Sequence, residues 1–309
     1  ALFRIVQFLN KTPDTDVLYF DDEQIRSENK LKPFFKPDWS PDLFLSMDYI
    51  SNFYTVKTKL LNECGGFRDQ FGDAKHYDML LRLSEKTKKI FHVPTIGASV
   101  NVSYEDEESS FVENAKKALS DALSRRNIKG IVSDGIIHNT FRIKYLADGS
   151  SRVSIVIPTK DQKELLKRCI TNIEKNTLYK NYEIIIVDNN SVQEETIAYL
   201  KSLPYTVVKY DLPFNFSKIC NLAASHASGD YLLFLNDDAA PLEHDWLSEM
   251  VSICQQENVG IVGAKLVLAS NVIQHAGVAL LQTGAAFHPM QGLDGNNEGY
   301  FGFLNVIRN

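Results

Sequence analysis

The chain has 309 residues, 44% hydrophobic and 23% charged, with a formal net charge of −6. This is an ordinary globular composition, long enough for one large or two medium cores, and its acidic balance excludes the basic face that a nucleic-acid partner requires. No apolar run nears the ~18 residues of a membrane span, and the scattered cysteines Cys64, Cys169, Cys220 and Cys254 read as free thiols rather than a zinc or redox motif. The opening ALFRIVQFLN lacks the features of a secretory signal, so the cytoplasm is the expected compartment.

Residues 2–9 predict a helix and 16–20 (DVLYF) a strand, followed by a Pro- and aromatic-rich loop over 30–42. A short helix over 57–63 is closed by Gly65-Gly66, since glycine readily takes the left-handed conformation that ends helices. A helix over 77–86 carries Met79, Leu80 and Leu83 on its apolar side, and a longer amphipathic helix spans 109–126. The stretch to Gly149 reads as an irregular β pair and linker, with the boundary at Gly149-Ser150-Ser151.

Beyond it, VSIVIP (153–158) is a continuous apolar run rich in β-branched residues, suited to a strand covered on both faces. Residues 163–175 place Leu165, Leu166, Cys169, Ile170 and Ile173 on one side of a helix, and YEIIIV (182–187) is the next buried strand. A helix over 194–203, a strand over 205–210, a helix over 217–227 and a strand over 231–235 follow. This alternation predicts an α/β fold with a mostly parallel central sheet, and right-handed crossovers bring the strands' C-terminal ends to one edge. The helix–loop–strand run of residues 1–20 recurs as 246–254 followed by 259–262, about 245 residues on. Such spacing predicts two tandem copies of one domain. Residues 1–149 would then be the back half of the first copy plus linker, and 150–309 the front half of the second.

Ligands of open α/β sheets sit beyond the C-terminal strand ends. Three polar clusters fall there: Pro158-Thr159-Lys160-Asp161, Asp188-Asn189-Asn190-Ser191 and Asn236-Asp237-Asp238. Neither GxGxxG nor GxxxxGK[ST] is present, which removes the dinucleotide and P-loop readings. Two adjacent carboxylates after a buried strand call for neutralisation, which a hard divalent cation supplies while also holding a pyrophosphate. The alternative is that Asp237 and Asp238 cap a helix starting near Pro241.

VSIVIPTKD, EIIIVDNNS and NFSKICNLAASHASGDYLLFLNDDAAP, in that order over about ninety residues, resemble the nucleotide-binding half of family 2 glycosyltransferases of the GT-A (Rossmann-like) fold. NVIQHAGVALLQTGAAFHPMQG and GYFG extend the resemblance to bacterial enzymes of polysaccharide or O-antigen assembly. The resemblance implies that Pro158, Thr159, Asp161 and Asn190 lie beside the nucleotide, with Asp188 accepting a hydrogen bond from the base N–H, which favours uracil or thymine. It further implies that Asp237 reaches the ribose or the metal shell and that Asp238 ligates Mn²⁺ or Mg²⁺, with Asn236 replacing the first acid of the family's triplet. Lys218 and Asn221 either approach the phosphates or are ordinary surface residues of their helix.

FKPDWSPDLFLSMDYI, NECGGF and HYDMLLRL resemble the acceptor half of the same family. Lys75-His76 stands where that family has an acidic pair supplying the catalytic base, while Asp78 and Arg82 are kept. His76 and Asp78 are therefore the candidate catalytic residues, since an imidazole near neutrality accepts a proton from a sugar hydroxyl. Two alternatives stay open: Asp78 and Arg82, four apart on one helix face, form a structural pair, or this copy is weak or inactive. Asp21-Asp22-Glu23 also imitates a metal triplet but occupies the wrong place in the repeat, and His275 and His288 read as structural unless the family context recruits them.

The resemblance implies inverting, metal-dependent transfer of a sugar from a UDP- or dTDP-type donor to an acceptor hydroxyl. The acceptor would be a glycan or lipid-linked saccharide, and the latter would draw the chain to the inner face of the membrane. The rival reading is a non-catalytic nucleotide- or carbohydrate-binding module made of incomplete halves. A nucleotidyltransferase is disfavoured because no Gly-rich basic loop follows the first strand.

Overall fold

The structure is a computed structural model in which residues 1–25, 31–101 and 110–307 are described. The chain divides into two units, one combining Ala1–Tyr145 with Lys265–Asn309 and the other comprising Leu146–Ala264.

In the first unit, α1 (Leu2–Lys11) leads into β1 (Val17–Ile25). Next come β2 (Leu31–Phe34), α2 (Pro41–Ser46), β3 (Tyr54–Val56) and α3 (Thr58–Glu63). A 3₁₀ turn over Asp69–Ala74 then enters α4 (Lys75–Lys86), followed by β4 (Ile90–Asn101), α5 (Phe111–Arg125) and the antiparallel pair β5 (Gly130–Asp134) and β6 (Phe141–Tyr145). β1 is central, pairing antiparallel with β2 and β3 and parallel with β4. That position explains why Val17, Leu18, Tyr19 and Phe20 are all buried.

The expected loop over 30–42 is corrected in two places: 31–34 is a strand and Pro41 opens a helix. Proline's fixed φ suits a first helical turn, where its missing N–H is not needed. Lys30, and Ser109 at the start of the expected long helix, lie outside the described residues. Gly65 and Gly66 do close α3, at φ +79° and +72°.

The second unit holds β7 (Val153–Thr159), α6 (Lys163–Asn176), β8 (Tyr182–Asp188), α7 (Glu194–Ser202), β9 (Thr206–Lys209), α8 (Phe216–Ala224), β10 (Tyr231–Phe234) and α9 (Trp246–Cys254). Its sheet runs β10-β7-β8-β9 with every pairing parallel. Both faces are covered. Ile155, Ile157, Ile184 and Ile186 pack with Leu166 and Ile170 of α6 and Leu247 and Val251 of α9. Val156, Ile185 and Val187 pack with Ile219 and Ala223 of α8.

At the N-terminal ends of these strands the Ser228-Gly229-Asp230 turn is locked in place. Ser228 N and Oγ donate to Glu183, Gly229 N donates to the Ser154 hydroxyl, and Arg152 N donates to Asp230. A Cβ on Gly229 would sit 2.7 Å from Ser154 N and 2.8 Å from the Arg152 carbonyl. Backbone atoms cannot yield as a flexible side chain can. Gly229→Ala is therefore expected to destabilise this unit by about 1–3 kcal/mol in urea unfolding; an unchanged midpoint would show that the turn relaxes freely.

The strand expected over 259–262 is corrected: that stretch is irregular, with Ile261 92% exposed. Its counterpart β1 is a strand because β2, β3 and β4 pair with it, and no such neighbours flank 259–262 among the described residues. The remaining segment returns to the first unit as β11 (Leu266–Val267), β12 (Ile273–His275), β13 (Ala279–Leu280) and β14 (Ala286–Phe287), paired as two short hairpins. A 3₁₀ stretch, Tyr300–Asn305, stacks Phe301 on Phe34 at 4.3 Å and receives a hydrogen bond from Phe35 N at the Tyr300 hydroxyl.

Candidate functional site

Parallel pairing sets the three polar clusters side by side. Thr159 and Asp188 are register partners at the ends of β7 and β8, and β10 lies against β7 on its other side. The Thr159 hydroxyl donates to Asp237 at 2.7 Å, which joins the first cluster to the third. Asp161 adopts φ +53° and accepts hydrogen bonds from Val192 N and Gln193 N, both 2.8 Å, while its own N–H donates to the Ser191 hydroxyl. That carboxylate therefore ties the loop after β7 to the start of α7.

Asp188 is buried and accepts from Ser191 N at 2.9 Å, and Asn190 is exposed at φ +60°. Asparagine tolerates this left-handed geometry better than most residues. Pro158, half-buried, precedes Thr159 on β7. Lys218 and Asn221 are exposed on α8, whose N-cap is the Asn215 side chain accepting from Lys218 N. Ser191, marked in sequence only as a member of its polar cluster, bonds both loops.

Asp237 is half-buried and Asp238 exposed. Burial pushes the Asp237 carboxyl above its ordinary value and the neighbouring Asp238 charge adds to this, opposed by the Thr159 hydrogen bond. Among the described residues neither aspartate forms an ion pair. Arg168 reaches only the Asp238 carbonyl, at 3.3 Å, and beneath them the Cys169 thiol is pushed up to about 12 by burial and by the two negative charges. Among the described residues no group of three or more His, Cys, Asp or Glu could hold a metal alone. The donor set is thus two hard oxygen ligands without a protein cation, which fits a divalent ion that shares its remaining positions with phosphate oxygens.

His76 and Asp78 belong to α4 in the other unit. His76 Nδ1 lies 3.4 Å from the Tyr54 hydroxyl, and its ring packs on half-exposed Phe67 at 4.9 Å. Burial, then Lys75, lowers its pKa, which favours the neutral imidazole. Asp78 is fully buried and held by two guanidiniums, Arg68 and, one helical turn on, Arg82. Arg68, on the turn before α4, went unnoticed in the sequence because ion-pair partners ten residues apart follow no helical spacing.

Asp21 and Asp22 lie inside β1 rather than after it, and both are buried. Lys36 pairs with Asp22 at 2.6 Å, its backbone N–H donates to Asp21, and His92 Nε2 lies 2.8 Å from Asp21. A lysine ammonium already occupies the place a metal would need. Nearby, burial raises the Asp48 carboxyl to about 6, against hydrogen bonds from Ser51 and Ile50 N–H and the charge of Lys36. Its folded pKa exceeds the unfolded 3.8, so stability falls as pH rises from there through about 6. Asp48→Asn is expected to remove that slope and to stabilise the chain at pH 7 by on the order of 1–3 kcal/mol. Urea unfolding of both forms across that range checks it, and parallel pH curves would refute it. His275 and His288 meet, their Nδ1 atoms 2.9 Å apart.

The description Glycosyl transferase family 2 matches residues 154–308. The chain is 37% identical over 321 residues to the O-antigen biosynthesis protein RfbC of Myxococcus xanthus, covering 100% of this chain and 25% of that one. It is 34% identical over 324 residues to the uncharacterized protein y4gI of Sinorhizobium fredii, covering 100% of this chain and 36% of that one. The chain thus spans 25–36% of the length of these curated relatives. Among solved structures, a mannosyltransferase from Pyrobaculum calidifontis in complex with GDP-Man and Mn²⁺ is 24% identical, with a TM-score of 0.33 over 37% of this chain and 36% of that one. No helix among the described residues is long and apolar enough to cross a membrane. The parallel sheet with its polar loops at one edge is the α/β GT-A arrangement that the resemblance implied. The matched stretch is half of the chain and runs through every loop of the strand-end site, so the chain belongs to glycosyl transferase family 2.

Proposed function

We propose that the chain serves a glycosyltransferase that moves a sugar from a nucleoside diphosphate donor to an acceptor hydroxyl during bacterial polysaccharide assembly. The observation that carries this reading is the convergence of Thr159, Asp188 and the Asp237-Asp238 pair at the C-terminal edge of a parallel sheet, with Thr159 bonded to Asp237. In this reading residues 150–309 form the donor half of one tandem copy and 1–149 the acceptor half, plus linker, of another. Asp188 receives the base N–H of a UDP- or dTDP-sugar. Asp238, with Asp237 beside it, holds Mn²⁺ or Mg²⁺, which when bound supplies Lewis-acid stabilisation of the departing diphosphate. Asp161 and Ser191 keep the two nucleotide loops in register.

In the acceptor half of its own copy, His76 takes the proton of the attacking hydroxyl as the new C–O bond forms and the bond to that copy's nucleoside diphosphate donor breaks, with inversion at the anomeric carbon. Asp78, saturated by Arg68 and Arg82, positions α4 and does not touch substrate. The acceptor is a glycan or lipid-linked saccharide, and the name of the Myxococcus xanthus relative supports an O-antigen type of product.

A second reading, a nucleotide-binding module without catalysis, is favoured by Lys75-His76 standing where the family carries acids. Calorimetric titration of UDP and dTDP with and without Mn²⁺ tests the donor site, and transfer from a radiolabelled UDP-sugar to saccharide acceptors separates enzyme from module. Metal-independent binding of free sugars, with none of UDP or dTDP, would sink the first reading.

A further inference from the structure

His275 ends β12 and His288 directly follows β14, and the fold brings their rings together. The backbone holds both positions. Ile273 and Ala276, on either side of His275, share a small core with Leu304, and Met290, two residues past His288, packs against it. Ile273 N donates to the Leu293 carbonyl at 2.8 Å and Gly292 N donates to the Ile273 carbonyl at 2.9 Å. The chain after His288 is thereby tied to the strand that carries His275. Their Nδ1 atoms are 2.9 Å apart, and the ring centres are 4.7 Å apart with the planes at 81°. A collinear N–H···N bond of that length would hold the centres about 5.2 Å apart, so the nitrogen axes are inclined away from the alignment that hydrogen bonds prefer. Convergence on a shared ion requires such an inclination. Two imidazole nitrogens, each about 2.0–2.1 Å from one cation, lie about 2.8–3.4 Å apart with their ring centres about 4.5–5.3 Å apart. Both observed distances fall within those ranges. The Gly277 carbonyl lies 3.3 Å from His288 Nδ1, within reach of a third adjacent position. His275 is half-buried and His288 exposed, which leaves room for water at the remaining ones.

We infer that His275 and His288, through their Nδ1 atoms, hold a borderline divalent cation of the Zn²⁺ or Ni²⁺ class, with the Gly277 carbonyl and water completing its shell. Imidazole nitrogen suits these ions, whereas Mg²⁺ and Mn²⁺ favour oxygen ligands. The site therefore differs in chemistry from the Asp237-Asp238 pair. It shares no residue with the proposed donor site and does not rest on that reading. Its effect is that of a clip. The ion joins β12 to the end of β14, and because it binds only the folded hairpins it stabilises them by mass action.

The test titrates Ni²⁺ into the full chain in excess Mg²⁺, which saturates oxygen-ligand sites, and reads binding by calorimetry. Ni²⁺ is expected to bind, and both His275→Ala and His288→Ala to weaken it by at least about tenfold, the least that loss of even an outer-shell partner costs a metal site. A second measurement needs no variant. Diethyl pyrocarbonate labelling of the parent chain, mapped by mass spectrometry, should slow at both His275 and His288 when Ni²⁺ is added, because an imidazole bound through Nδ1 is a poorer nucleophile. Absence of Ni²⁺ binding, or binding that both alanine variants retain in full, overturns the inference. So does protection of only one ring or of neither, since the pair would then be a plain imidazole hydrogen bond.

Discussion

Replacing Asp78 with alanine is expected to destabilise the unit that contains α4 by about 3–5 kcal/mol, the usual result of leaving buried charge unpaired. Asp78 is 0% and Arg82 7% exposed, and Arg82 also donates to the carbonyls of Cys64 and Gly66 that end α3. Arg68 bridges Asp78 to Asp121 on α5. One carboxylate thus fastens α3, the 3₁₀ turn, α4 and α5 together, and its loss takes from two guanidiniums at once the buried charge they share. Burial alone would raise its pKa, but the hydrogen bonds from Arg68 and Arg82 outweigh burial and hold it below the ordinary value. The stabilisation is therefore complete above the unfolded pKa of 3.8 and is lost as pH falls through the lower folded value. The deficit of Asp78→Ala should accordingly be full at pH 7 and shrink in strong acid. Urea unfolding at both pH values measures it; a loss below about 1 kcal/mol, the scale of an exposed pair, would mean the arginines find other partners.

Asp238→Ala is expected to remove the Mn²⁺ dependence of UDP binding and weaken affinity in Mn²⁺ by at least about tenfold, or 1.4 kcal/mol. Asp238 is exposed, so folding should be untouched, and an unchanged thermal midpoint is the control. Asp237 gives the pH dependence its sign. Its carboxyl titrates above the ordinary 3.8, chiefly through burial, so protons compete with the cation at a higher pH than they would at a surface aspartate. Removing the Asp238 charge lowers Asp237 towards its ordinary value. In the parent chain, titrations from pH 7 downward should show metal-supported UDP binding lost as Asp237 takes up its proton, before a surface aspartate would. Binding that stays metal-dependent in Asp238→Ala would place the cation elsewhere.

The parallel sheet of the second unit was legible because its fold and its candidate site share one pattern: apolar runs that lead into the Thr159, Asp188 and Asn236 clusters write the sheet edge and the candidate site at once. The bounds of its four sheet strands moved by one residue at most. The first unit was harder to read because its sheet depends on long-range partners. β4 pairs with β1 from about seventy residues away, and IFHVPTIGASVN alternates too weakly to announce a twelve-residue strand. Residues 31–34 read as loop because a proline stood in them, yet Pro33 sits on an edge strand, where a missing donor is tolerated. The Asp21-Asp22 pair resembles Asp237-Asp238 in sequence and is set aside there by its place in the repeat; the fold adds the physical difference, since Lys36, fifteen residues from Asp21, closes the first pair and no ion pair closes the second among the described residues.

The first unit is discontinuous: Phe34 awaits Phe301, and the whole of Leu146–Ala264 is synthesised between Tyr145 and the segment that returns. At typical translation rates of about 5–20 residues per second, that interval lasts roughly 6–24 s. The intervening unit, contiguous in sequence, has time to collapse before its neighbour receives its last strands. Order of completion thus runs opposite to order of synthesis, and the unit that begins first matures last.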